Sequence, residues 1–181
     1  MPYGGPMTTP RIAPGSRKEI GLVNHLLSTA AGRTIGSGRP NVFTTLGRRR
    51  GLFRAWLLYS ATMMPGGRLP RADTELVILH VATVRECAYE RRHHERIGAR
   101  VGLSRAEIEH AGDASWSGWS DRQRILLTAT DELVRTRGLG EDTWASLRGI
   151  LDEVRAIEWL MLCGHYDALA TTLLTLRVQP D

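Results

Sequence analysis

Between Asp73 and His94 the chain reads DTELVILHVATVRECAYERRHH, which gathers a carboxylate at Glu75, a thiol at Cys87, a second carboxylate at Glu90 and imidazoles at His93 and His94. Carboxylates and imidazoles take up, release and relay protons near neutral pH, and a thiol adds nucleophilic or redox chemistry. On a helix running from Cys87, the residues Cys87, Glu90 and His94 fall at i, i+3 and i+7 on one face. Glu90 and His94 are then i,i+4 neighbours placed to share a proton, while His93 points elsewhere. Upstream, Glu75 opens an apolar stripe continued by Ile78, Leu79, Ala82 and Glu86. A carboxylate on a burying face must be paired or hold its proton, and both conditions suit proton transfer. Each residue also has a plain structural reading: a small core cysteine, a solvated Glu-to-His pair, a first-turn carboxylate. Their combination is what points to a site.

The same residues resemble the carboxymuconolactone decarboxylase family, whose alkylhydroperoxidase D-like branch carries a Glu about a dozen residues before Cys-x-x-Cys-x-x-x-His. Here Glu75, Cys87 and His94 match, and Glu90 stands where that branch has its second Cys. The resemblance extends from about Asn41 to the C-terminal LCGHYDALATTLL. Dithiol peroxide reduction needs a resolving thiol beside the attacking one, which Glu90 cannot supply. The decarboxylase branch instead keeps a Glu-x-x-x-His pair, which Glu90 and His94 fit. The resemblance therefore implies an acid/base member that retains one thiol, with Glu75, Cys87, Glu90 and His94 as the catalytic set.

The elements that must position this set are helical, because no run of period-two alternation appears. Residues 1–15, with four prolines and three glycines, read as a mobile arm. Ser16 to Glu19 is a capping box opening a helix to about Ala31, and GRTIGSGRP breaks it. Asn41 can cap a short helix, and Leu52 to Met64 is a largely apolar one. A helix carrying Glu75 and another running from about Cys87 to Arg100 follow, one bent helix or two. Gly102 closes the second. Capping boxes at Ser104 and Ser120 open the next helices, and Thr143 to Leu151 and Asp152 to Leu176 complete the set. The expected fold is all-α, a helical bundle of the alkylhydroperoxidase D-like type with about eight helices in one domain over residues 16–181.

The 181 residues suffice for one ordinary core, and the chain carries a formal net charge of +5. A sequence pI near 9.9 raises nucleic-acid binding. The basic residues are nearly all Arg scattered among acids, with one compact run at Arg48-Arg49-Arg50, so a solvated patch or attraction of an anionic substrate accounts for them better. No stretch is apolar enough to span a membrane, and no secretory signal precedes Cys87 and Cys163. A reduced cytoplasmic protein, binding neither membrane nor nucleic acid, is expected.

Two E-x-x-H motifs, Glu90 to His93 and Glu107 to His110, raise a metal site, but they lie too close in sequence for separate bundle helices. No metal and no cofactor is expected. Cys163, His165, Tyr166 and Asp167 interrupt an apolar helix. They either satisfy one another or bring His165 and Tyr166 to the pocket of Glu75 and His94. Trp56, Tyr59, Met63 and Met64 are core or an apolar pocket wall. Tyr89, Trp56, His165 and Tyr166 are the expected substrate contacts.

Three functions follow. The first is cofactor-free acid/base chemistry on a small, anionic organic acid, lactone or enone, decarboxylating, isomerising or cyclising it through an enolate. The second is a thiol peroxidase using Cys87, and the third is a non-catalytic binding or assembly protein. Apolar surface on helices such as Leu52 to Met64 points to a homo-oligomer, and the resemblance implies a trimer or hexamer.

Overall fold

The computed structural model describes residues 9–34 and 38–181. Among these the regular elements are α1 (Arg17–Thr34), α2 (Asn41–Leu46), α3 (Arg50–Met63), α4 (Arg71–Val84), α5 (Ala88–Arg100), α6 (Arg105–His110), α7 (Asp121–Thr136), α8 (Glu141–Ile150) and α9 (Glu153–Leu176), with no strand. The all-α expectation holds, with one helix more than the eight or so read from pattern. The chain divides into two compact units, one of residues 1–60 and 171–181 and the other of residues 61–170.

In the first unit, residues 1–8 of the arm expected over 1–15 lie outside the described residues, as do 35–37 of the break after α1. Within 9–15, the Arg11 N–H donates to the Leu176 carbonyl and the Gly15 N–H to the Thr44 carbonyl. Half of the capping box forms: the Ser16 N–H and hydroxyl both donate to Glu19 Oε2, while the Glu19 N–H donates to the Ser16 carbonyl, and Arg48 binds Glu19 Oε1 at 2.7 Å. Arg50 donates to the Glu19 and Lys18 carbonyls. Two members of the arginine run are thus spent on tying down α1. Gly21, at φ 81°, kinks α1, and the Arg50 guanidinium sits 3.2 Å from where its Cβ would lie. Asn41 is not a cap; its amide donates to the Gln179 and Pro180 carbonyls. Phe43, Phe53 and Trp56 pack as an aromatic cluster with ring centroids near 6 Å.

The second unit is built around α4. Every residue of α4 from Asp73 to Ala82 is buried, the polar Asp73, Thr74, Glu75 and His80 along with the apolar ones. Val77, Ile78 and Val81 pack against Leu126, Ala129, Leu147, Trp159 and Leu162 from α7, α8 and α9. Leu76 and Leu79 face Leu103, Trp119 and Leu127. His80 ties α4 sideways, with Nδ1 2.8 Å from the Ala111 carbonyl and Nε2 3.2 Å from Asp131.

The sequence left open whether α4 and α5 are one helix or two, and they are two. The Glu86 N–H donates to the Thr83 carbonyl and the Cys87 N–H to the Ala82 carbonyl, with Glu86 in the left-handed region at φ 55°. That pairing is a Schellman stop, here with glutamate where glycine is usual. Cys87 ends one helix and caps the next. α5 closes the same way, with Gly102 at φ 103° and the Leu103 N–H on the Gly98 carbonyl. Reciprocal capping boxes open α6 at Ser104 with Glu107 and α7 at Ser120 with Gln123, as read from the sequence.

Candidate active site

Glu75 sits in the first half of α4 and is fully buried. Its two oxygens are divided between two partners: Arg71 Nη2 donates to Oε1 at 2.8 Å, and His94 Nδ1 lies 2.6 Å from Oε2. A carboxylate only accepts, so Nδ1 carries the hydrogen and Nε2 is left as the basic nitrogen of the ring. Arg71, Glu75 and His94 form a chain in which a guanidinium fixes a carboxylate and the carboxylate fixes an imidazole. α5 packs along α4 and brings His94 to this point.

The expectation that Glu90 orients His94 is corrected here. Glu75 does that, and Glu90, only 3% exposed, has the Cys87 thiol rather than His94 beside its carboxyl group. Burial first, with Asp167 adding to it, pushes the Glu90 carboxyl up to about 8, so the group is a neutral acid at pH 7. The Cys87 thiol beside it is pushed up to about 12 by burial and by Glu90. The nearby cations are engaged elsewhere: Arg85 pairs with Asp167, and Arg91 with Glu95 and Thr83.

From α9, Tyr166 meets the His94 ring edge-on with centroids 5.1 Å apart and donates to Met64 Sδ at 3.7 Å. Burial, then the charges of Glu75 and Glu90, push its phenol well up, against a smaller opposing pull from Arg71. Tyr166 therefore lies within electrostatic reach of all three residues. Of the two readings of the C-terminal polar cluster, Tyr166 follows the one that faces Glu75 and His94. His165 meets the Tyr166 ring edge-on at 5.2 Å, and burial pushes it down to about 4. Asp167 is held by Arg85 and Arg137. Tyr89 packs against His93, centroids 4.7 Å apart. Trp56 belongs to the aromatic cluster of the first unit.

Glu75, Cys87, Glu90 and His94 are all under 8% exposed, so the set is enclosed. A cavity of about 160 Å³ opens elsewhere, between α7 and α9, lined by residues including Leu133, Arg137, Leu160, Cys163 and Asp167. Both cysteines are free and buried. Among the described residues no three His, Cys, Asp or Glu side chains converge as a metal site would need. Glu107 is instead a helix cap, and His110 stacks on Trp116 at 4.4 Å. Among the same residues no helix is long and apolar enough to cross a membrane. Two residues of this neighbourhood escaped the sequence reading. Arg71 was legible as an i,i+4 partner of Glu75, whereas His80 lay hidden in an apolar run.

A buried Glu–His couple bridges α4 and α5, and Cys87 stands at the turn between them. Residues 50–131 match the model of the carboxymuconolactone decarboxylase family. Solved structures agree on the fold. An uncharacterized peroxidase-related protein from Ralstonia eutropha JMP134, an alkylhydroperoxidase AhpD core, superposes with a TM-score of 0.81 at 19% identity, covering 94% of this chain and 93% of that one. A second peroxidase-related protein, from Silicibacter sp. TM1040, gives 0.78 at 14% identity over 99% of this chain and 89% of its own. A cysteine-to-alanine variant of the debrominase Bmp8, in complex with 2,3,4-tribromopyrrole, gives 0.81 at 15% identity, covering 96% and 93%. At these identities the likeness is one of fold. No curated protein matches the chain in sequence.

Proposed function

We propose that the protein is an enzyme moving a proton at carbon in a small organic acid, lactone or enone, with decarboxylation, isomerisation or cyclisation through a shared enolate as the outcome. The observation that carries this reading is the 2.6 Å contact between His94 Nδ1 and a fully buried Glu75. Glu75 holds the ring in one tautomer and stabilises the imidazolium that forms when Nε2 takes a proton. Glu90, neutral at pH 7, is the acid that returns a proton or donates to the developing enolate oxygen. The Tyr166 phenol, kept protonated by its surroundings, is a second donor. General acid/base transfer supplies about 10²–10⁴-fold, and donors aimed at the enolate oxygen supply much of the remainder. We propose further that the protein is a homo-oligomer, since α9 leaves Val154, Ile157, Leu160 and Met161 exposed along one face.

A thiol reading has one observation in its favour: Cys87 occupies the turn between the two site helices, and a fold neighbour was captured with its bromopyrrole as a cysteine variant. Against it stands a thiol pushed up to about 12. The two separate in one experiment. In heavy water, proton NMR on a panel of small oxo acids, lactones and enones should show C–H exchange or loss of carbon dioxide with the wild type and with Cys87→Ser, and a loss of about 10²-fold or more with His94→Gln. Activity that survives His94→Gln and vanishes in Cys87→Ser would hand the site to thiol chemistry.

A further inference from the structure

One tine of the Arg71 fork is occupied and the other is not. Nη2 holds Glu75, while Nη1 is buried and donates to nothing. One helical turn before His94, Glu90 keeps both of its oxygens buried, with the Cys87 thiol as their neighbour and no nitrogen or oxygen donor on them. His94 joins the two: Glu75 ties it to Arg71, Glu90 precedes it by one turn of α5, and the Tyr166 ring meets it edge-on at 5.1 Å. Burying a cationic N–H and a carboxyl group with no partner is costly, so such groups persist where a ligand completes them. The vacant set is specific in its chemistry. It offers a charged donor from Arg71 and, from the neutral Glu90, one O–H donor with an acceptor beside it.

We propose that Arg71 and Glu90 are the receptor for a carboxylate that the substrate retains, so that the substrate class is small monocarboxylates with an acidic C–H, such as oxo acids. A carboxylate accepts from both donors, and its charge balances the imidazolium formed when His94 takes the proton. An amide or ketone in its place brings no charge to the guanidinium. The held carboxylate is the one that stays. Gripping it with a cation stabilises the ground state and opposes its departure as carbon dioxide, which leaves proton transfer at a neighbouring carbon. In that step His94 Nε2 takes the C–H proton, the bonding pair moves onto the carbonyl oxygen as an enolate, and the proton returns from His94.

The inference rests on the proton-transfer reading, and the test keeps the two apart by measuring binding and exchange separately on the purified full chain. Levulinate, a small oxo acid, is titrated calorimetrically against acetonylacetone, its neutral analogue with a methyl ketone in place of the carboxylate. Wild type should bind levulinate at least about tenfold more tightly than the diketone, and Arg71→Gln should lose at least about tenfold in levulinate affinity. Arg71→Lys, which keeps a cation beside Glu75 but has no second N–H on a rigid fork, should fall between them and guards against misfolding of the glutamine variant. His94→Gln should bind levulinate within about twofold of wild type while exchanging none of its C–H protons. Equal affinity for the two compounds, no levulinate binding by the wild type, or unchanged affinity in both Arg71 variants overturns the proposal. Arg71-dependent binding with no exchange on any compound would sink the proton-transfer reading and leave the receptor standing.

Discussion

Glu90 is the residue whose ionisation the fold alters in the most testable way. Unfolded, it titrates near 4.5; folded, near 8. Between those values the folded state holds a proton that the unfolded chain releases, so the contribution of Glu90 to stability is fully present below about 4.5, declines as pH rises and is gone above about 8. Glutamine mimics the neutral acid without its charge. Glu90→Gln should therefore melt with the wild type at pH 5 and well above it at pH 9, by an amount on the order of 4 kcal/mol, read from denaturant curves at the two pH values. Equal curves at pH 9 would mean that Glu90 ionises freely. Cys87 gives a second test at this scale. With its thiol near 12, alkylation by iodoacetamide at pH 7.5 should run roughly 10³-fold slower in the folded protein than in urea. The sequence placed Glu75, Cys87, Glu90 and His94 in one neighbourhood but paired His94 with the wrong carboxylate. An i,i+4 spacing is visible along one helix, whereas the contact that wins runs between two helices and depends on how they pack.

At the scale of elements, caps and breaks were legible because their chemistry is local. The Ser104 and Ser120 boxes and the Gly102 stop form, and the Ser16 box forms in its Glu19 half, since each needs only residues within one turn. The stop at Glu86 was not legible, because a glutamate does not announce a left-handed residue. Holding an L side chain there is unfavourable, and Glu86 is exposed, so Glu86→Gly should stabilise the protein by about 0.5–1 kcal/mol and raise its melting temperature by about 2–4 °C in calorimetry. A melting temperature that falls instead would mean that the glutamate side chain holds the turn. Asn41 shows the opposite error: a good capping residue by type is drawn away by the carbonyls of residues 179 and 180, far along the chain.

For the whole molecule, α9 carries the clearest unpartnered surface. Val154, Ile157, Leu160 and Met161 share one face, and Ile157 is 64% exposed. Burying such a face between copies removes apolar area from water at roughly 25 cal/mol per Å², which is why the proposed homo-oligomer draws on it. Ile157→Glu together with Met161→Glu should shift sedimentation from an oligomer toward the monomer at micromolar concentration. A wild type that already sediments as a monomer would remove the proposal.

The enclosure of α4 has a consequence for exchange kinetics. A backbone amide swaps its hydrogen with solvent only through an opening, and residues 73–82 have neighbours on every side, so their slowest amides exchange through unfolding of the whole unit. Glu75 is anchored in that stretch and His94 is held by it. The couple should thus last as long as the folded state does, and any breathing that admits a substrate has to come from the α5 side, where exchange of the Ala88 to Glu95 amides should be faster than that of Leu76 to Ala82.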